Sequence, residues 1–180
     1  MDSEIIASID PGTEQSAFCI LDTRTLTLID FGIEPNAVLK NDIATRWNPG
    51  WHFAYEMVQS FGMPVGREVF ETCVWMGQFL GQTPKEVVWQ PIFRSQVKQT
   101  LCHSSKANDS TVRQALIDMF GGPVSIGKKK TPGPLYGVHK DVWSALAVGV
   151  TGGLSIGSLT TFPEGLLRPC RSSRLSDRDT

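Results

Sequence analysis

Three acids stand where acids are costly. Asp10 ends the apolar run EIIASID, Glu56 lies inside HFAYEMV, and Asp141 opens the apolar segment DVWSALAVGV. A carboxylate within or at the end of an apolar strand loses solvation unless something pairs with it. Capping a strand or helix end is the commoner role for any one such acid alone, and a bound cation is the other. If the strands carrying Asp10 and Glu56 are neighbours, and Asp141 begins a helix packed on them, the three form a cluster of hard oxygen ligands. That chemistry suits Mg2+, with Mn2+ as a substitute. Such ions keep several waters and take one or two carboxylates plus phosphate oxygens, which matches phosphodiester hydrolysis by paired metals. His139, two residues before Asp141, is placed either to touch phosphate and activate water or to sit on the surface ahead of a helix.

Charge along the chain is uneven. The 180 residues carry 17 Lys+Arg and 18 Asp+Glu. Residues 1–71 hold 4 basic against 11 acidic side chains, while residues 94–140 hold 8 against 2. This division suits a polyanion held on one surface with cations held at another, although a solvated surface without a ligand has the same pattern. Arg94, Lys98, Lys106, Arg113, Lys128, Lys129 and Lys130 are the candidate phosphate contacts, which would position DNA without reading its sequence. Phe61, beside Gly62, is a candidate wedge into opened DNA or a loop-packing residue. Trp75 and Trp143 fall on helical segments and are expected in the core. Cys19, Cys73, Cys102 and Cys170 stand singly, with no C-x-x-C pair, which argues against a zinc ribbon or a thioredoxin-like motif and for reduced structural thiols. No apolar run is long enough to span a bilayer. Asp2 and Glu4 precede the first apolar run, unlike a secretory signal, so a cytoplasmic protein without a membrane anchor is expected.

The elements that must position these residues follow from periodicity. Residues 4–10, 16–22 and 26–33 read as three strands joined by short turns, and connections this short require antiparallel pairing. A short helix is expected near 37–45, a fourth strand over 52–58 and a fifth over 87–92. After Pro64, taken as a first-turn proline, Val65, Val69, Cys73, Met76 and Leu80 repeat at helical spacing and predict an amphipathic helix. Further helices are expected over 94–101, with Arg94 and Lys98 on one face, and over 111–120, capped by Asp109 or Ser110 and stopped by Gly121-Gly122. GKKKTPGPLYG, residues 127–137, predicts an exposed basic loop ahead of a last helix over 141–150. One domain over residues 1–152 and a polar tail over 153–180 are expected. The fold class is α/β, a mixed five-stranded sheet flanked by helices.

Residues 6–22, IASIDPGTEQSAFCILD, resemble the opening strand and hairpin of the RuvC family of Holliday-junction resolvases. FAYEMV, residues 53–58, resembles that family's strand bearing a catalytic Glu, and KDVWSALAVGV, residues 140–150, resembles its final catalytic helix. The resemblance implies a ribonuclease H-like fold and a bacterial or phage nuclease of branched DNA. It implies Asp10, Glu56 and Asp141 as catalytic metal ligands, and products with a 5′ phosphate and a 3′ hydroxyl. A four-way junction offers two symmetric strands to cut, so a homodimer is expected, with the helix over 65–80 contributing to its interface. Many family members carry a second acid three residues after the first on the last helix, and here Ser144 stands in that place. Ser144, His139 or water would then have to complete a second metal site. Three other functions compete: a junction-binding protein that has lost catalysis, a nuclease of the same fold acting on flaps, forks or RNA, and an actin-like kinase or ATPase. The last is suggested by the resemblance of Asp10-Pro-Gly-Thr-Glu-Gln-Ser16 to a phosphate-binding turn, but those enzymes close two domains over nucleotide and this chain has room for one.

Overall fold

Alternation along the strands decides the architecture. In a computed structural model describing residues 4–60, 62, 64–157 and 159, β1 (Ile5–Asp10), β2 (Gln15–Asp22), β3 (Thr27–Pro35), β4 (His52–Met57) and β5 (Trp89–Phe93) form one sheet in the order β3-β2-β1-β4-β5. β1, β2 and β3 pair antiparallel through their short turns, whereas β1–β4 and β4–β5 are parallel, as the intervening helices α1 (Asn36–Thr45) and α2 (Arg67–Leu80) require. Side chains of period two then fall on two faces. Ile6, Cys19, Ala54 and Ile92 pack under α3 (Arg94–Cys102), α4 (Asp109–Met119) and α5 (Val142–Ser155). Ala7, Ile9, Phe18 and Phe53 pack under α1 and α2, where Phe53 and Trp89 lie with ring centroids 4.8 Å apart. This is the expected mixed five-stranded α/β sheet. Among the described residues, no helix is long and apolar enough to cross a membrane.

α5 lies unusually close to the sheet, and its glycines are the reason. A Cβ at Gly149 would stand 2.7 Å from Ser8 Oγ, and one at Gly152 would stand 3.0 Å from Ile6 Cδ1 and 3.2 Å from Ala54 Cβ. The buried Ser8 hydroxyl lies 2.8 Å from the Ala145 carbonyl and 3.2 Å from the Cys19 carbonyl, tying helix to strand. The helix continues through Gly152 and Gly153 to Ser155, and Leu159 packs on the same core, so residues 153–155, expected in the tail, belong to the helix. Small residues read as tail composition, but here they allow backbone to approach backbone. Residues 160–180 of the expected tail lie outside the described residues.

Other departures have local causes. α2 begins at Arg67 with Gly66 as N-cap, so Pro64 precedes the helix instead of opening it. Its buried positions are Thr72, Met76 and Phe79, whereas Val65 and Cys73 of the expected stripe are exposed. The helix carries a second apolar stripe, Phe70 and Val74, each 61% exposed, and periodicity alone does not say which stripe meets the sheet. α4 is capped by Asn108, whose side chain accepts from the Thr111 backbone N–H at 2.9 Å, not by Asp109 or Ser110. The basic loop folds into a small hairpin, β6 (Gly127–Lys128) with β7 (Thr131–Pro132), which leaves all three lysines exposed. Trp75 and Trp143 are only partly buried, at the edges of the two core clusters.

Candidate active site

Asp10 shares the parity of Ile6 and Ser8 on β1, and Glu56 shares that of Ala54 on β4, so both carboxylates leave the sheet on the α5 face. The parallel register pairs Ile9 with Tyr55, which brings Asp10 and Glu56 together one residue further along. A latch fixes the turn that follows. Gly12 N–H donates to Ser16 Oγ at 3.1 Å, Ser16 Oγ donates to Asn36 Oδ1 at 2.7 Å, and Asn36 Nδ2 donates to the Gly12 carbonyl at 3.0 Å. Gly12 is obligatory there, because a Cβ would lie 2.3 Å from the Gln15 carbonyl oxygen. The Asp10-Pro-Gly-Thr turn thus closes on its own polar side chains. Ser16, read in the sequence only as part of a phosphate-binding turn, joins Asn36 in holding the first acid's backbone in place.

α5 brings the third acid. Asp141 is its N-cap residue but makes no side-chain capping hydrogen bond, so the carboxylate is left available to the site. One turn on, the Ser144 hydroxyl lies near enough to the Asp10 carboxylate to favour its charged form. Burial, then the charges of Glu56 and Asp141, push Asp10 up to about 7, against the opposing pull of Arg94 and Ser144. Burial also raises Glu56, opposed first by Arg94. Asp10 therefore feels the charge of both other acids, and nearby positive charge offsets this crowding only in part.

The cation that is present is Arg94. As the first residue of α3 it reaches Glu56, with Nη1 at 3.6 Å from Oε2, while Nη2 is hydrogen-bonded to Asp109. Burial works against its charge, but the Asp109 hydrogen bond and the charges of Glu56, Asp109 and Asp10 outweigh it and raise its pKa. Glu56 Oε2 and Arg94 Nη1 are buried, and neither has a hydrogen-bond partner among the described residues. Asp109, expected only as a cap, is thus part of the site. Its signal in the sequence is weak, because the two residues are 15 apart and meet only through the packing of α3 on α4.

An open cleft lies between α4 and the start of α5, with Asp141 the one of the three acids on its wall, beside Arg94, Arg113, His139 and Ser144. His139 Nδ1 lies 2.8 Å from the Gly137 carbonyl, which can only accept, so in the neutral ring Nδ1 carries the proton and Nε2 presents its lone pair. Arg113 stacks over Trp143 at 4.8 Å from the ring centroid, on the cleft wall. Lys98 is close enough to lower Glu56. Lys106 lies exposed in the turn after α3, and Lys128, Lys129 and Lys130 on the hairpin. Phe61 lies outside the described residues.

The donor set fits a hard cation loosely. Among the described residues, no three His, Cys, Asp or Glu side chains close into a metal cage. Mg2+ needs only one or two carboxylates if water and a phosphate complete its shell. The charge crowded around Asp10 by Glu56 and Asp141 is what such an ion would relieve.

By sequence, no family model and no curated protein matches the chain. By structure, it superposes on Thermus thermophilus RuvC with a TM-score of 0.61 at 16% identity, covering 86% of this chain and 97% of that one. The fold is RuvC-like. A second match is T. thermophilus RuvC in complex with Holliday junction substrate, with a TM-score of 0.59, 16% identity, and coverage of 86% of this chain and 96% of that one. At this identity the RuvC likeness establishes the scaffold, and roles for individual side chains have to come from the geometry above.

Proposed function

We propose that this chain is a Mg2+-dependent endonuclease that cuts branched DNA, four-way junctions foremost, with Mn2+ able to replace Mg2+. The observation that carries this reading is the meeting of Asp10, Glu56 and Asp141 at one end of a RuvC-like sheet, beside an open cleft with basic walls. The matched RuvC bound to a Holliday junction substrate supports branched DNA as the ligand class. Bound at the acids, the divalent ion would polarise the scissile phosphate and make water more acidic. Asp10 and Asp141 would hold it, and the N-terminus of α5 would favour the phosphate. His139 Nε2 would accept a proton from the attacking water as its oxygen bonds to phosphorus. The P–O3′ bond breaks, and O3′ leaves with the electron pair and takes a proton from solvent, giving a 3′ hydroxyl and a 5′ phosphate. Cleavage of a labelled junction in Mg2+ or Mn2+, and its arrest by chelator, tests this. Junction binding without cleavage in any metal would instead favour a silent binder, the second reading, which Ser144 in place of an acid motivates.

DNA would lie along the cleft and over the lysine hairpin. Replacing Lys128, Lys129 and Lys130 together with Ala should weaken junction and linear duplex alike. If all three contact phosphates, the slope of log K against log[salt] should fall in magnitude by about 2.7. Fluorescence anisotropy from 50 to 200 mM salt reads this, and an unchanged slope would remove the hairpin from the interface.

Two symmetric cuts need two sites, and the exposed Phe70–Val74 stripe of α2 offers a second copy an apolar face. Phe70→Asp with Val74→Asp should convert a dimer to a monomer at micromolar concentration in sedimentation, with the monomer still folded because both side chains are exposed in the single chain. A wild-type monomer at the same concentration would contradict the dimer.

A further inference from the structure

We propose that Arg94 stands in the place of a second metal ion, so that each site takes one divalent cation on Asp10 and Asp141 while the guanidinium holds Glu56 and receives the phosphate. The inference rests on the nuclease reading above and replaces the paired ions expected from the sequence. A second ion would need Glu56 as a ligand, yet Arg94 Nη1 already faces Glu56 Oε2 at 3.6 Å. The guanidinium is not a loose surface charge. Its side chain is 23% exposed, and Nη2 is tied to Asp109, whose own side chain is 83% exposed. Asp109 thus anchors one edge of the fork and leaves the other edge turned to the acids. Ser144 stands where a further acid would favour a second ion, and a neutral hydroxyl there supplies no charge to hold one. The site has one ligand fewer and one fixed positive charge more, and both changes act against a second divalent ion.

The same geometry gives Arg94 a direct task. Nη1 is buried without a hydrogen-bond acceptor among the described residues, and Arg94 lines the cleft with His139 and Asp141. A phosphate oxygen entering there would satisfy the unmet donor, and the planar fork suits that contact better than an ammonium would. Charge built up on the phosphoryl oxygens during hydrolysis would then meet a guanidinium where a second ion would otherwise stand.

Manganese binding to the full chain without DNA separates the alternatives, with stoichiometry from titration and the low-temperature paramagnetic resonance spectrum distinguishing single ions from exchange-coupled pairs. Wild type and Ser144→Asp are expected to bind one ion per protomer with a mononuclear spectrum. Arg94→Gln combined with Ser144→Asp is expected to bind two, with a coupled spectrum. Two ions in wild type, or in Ser144→Asp with Arg94 intact, would overturn the inference while leaving the nuclease reading in place. A folded double variant that still takes a single ion would also overturn it. If the double variant does not fold, the wild-type and Ser144→Asp counts decide. No manganese bound by wild type at millimolar concentration would remove the nuclease reading and this inference with it.

Discussion

Asp10→Asn is expected to lower junction cleavage by roughly 10^3-fold or more, because it removes the carboxylate at the centre of the proposed cation site. The same change should stabilise the metal-free protein above neutrality. Folded Asp10 keeps its proton up to about 7, against 3.8 for the ordinary side chain. Between these values the native state binds a proton that the unfolded state has released, so stability falls as pH rises through the window. The favourable contribution is complete below 3.8 and gone above about 7. Three pH units correspond to about 4 kcal/mol at most. The site is partly open to solvent, so about 1–3 kcal/mol is the expected range. Asn has no such dependence. At pH 8 without metal, Asp10→Asn should therefore melt roughly 5 °C above wild type, and near pH 4 the difference should vanish. Adding Mg2+ at pH 8 should raise the wild-type melting temperature and leave the variant unmoved. A variant less stable than wild type at pH 8 without metal would contradict the crowding of charge around Asp10.

Gly149→Leu should cost about 3–5 kcal/mol, from overpacking together with loss of a buried hydrogen bond. A Cβ there would lie 2.7 Å from Ser8 Oγ and 3.3 Å from Ser8 Cβ, and that hydroxyl ties β1 to the Ala145 carbonyl. Relief requires α5 to lift from the sheet, carrying Asp141 and Ser144 away from Asp10. Displacement of this kind can cost about 10²-fold in rate for each ångström, so cleavage should fall further than the stability loss alone explains. Calorimetry and a cleavage assay below the variant's melting temperature measure the two effects separately. A melting temperature within 2 °C of wild type, which in a domain of this size corresponds to about 1 kcal/mol or less, would mean that α5 is less tightly seated than the Gly149–Ser8 approach indicates.

The sheet was legible because its information is local. The short turns after β1 and β2 force antiparallel pairing, and the alternation Ile6-Ala7-Ser8-Ile9-Asp10 sets which face each side chain takes. Given that β1 and β4 are neighbours, the parity of Asp10 and Glu56 brings the first two acids to one face, and Asp141 follows from the helix that covers it. Arg94 was legible only as a basic residue on a helix. Its partners Glu56 and Asp109 come from β4 and α4, and nothing in the sequence spacing distinguishes an arginine held between two acids from one free to meet phosphate. The orientation of α2 was hidden for a similar reason, since Thr72-Met76-Phe79 and Phe70-Val74 are both helical stripes and only the sheet's position selects one. The glycines of α5 read as weak helix formers, and their use in close packing emerges once Ser8 and Ile6 are seen beneath them.

Mapping cuts on a four-way junction with each strand labelled in turn tests most directly whether this site cuts branched DNA. With Mg2+ or Mn2+, wild type should give paired cuts at symmetric positions in two opposed strands, with 5′ phosphate ends, little cleavage of matched linear duplex, and none in Asp10→Asn. A junction bound but uncut in every metal, or cuts that persist in Asp10→Asn, would contradict the nuclease reading.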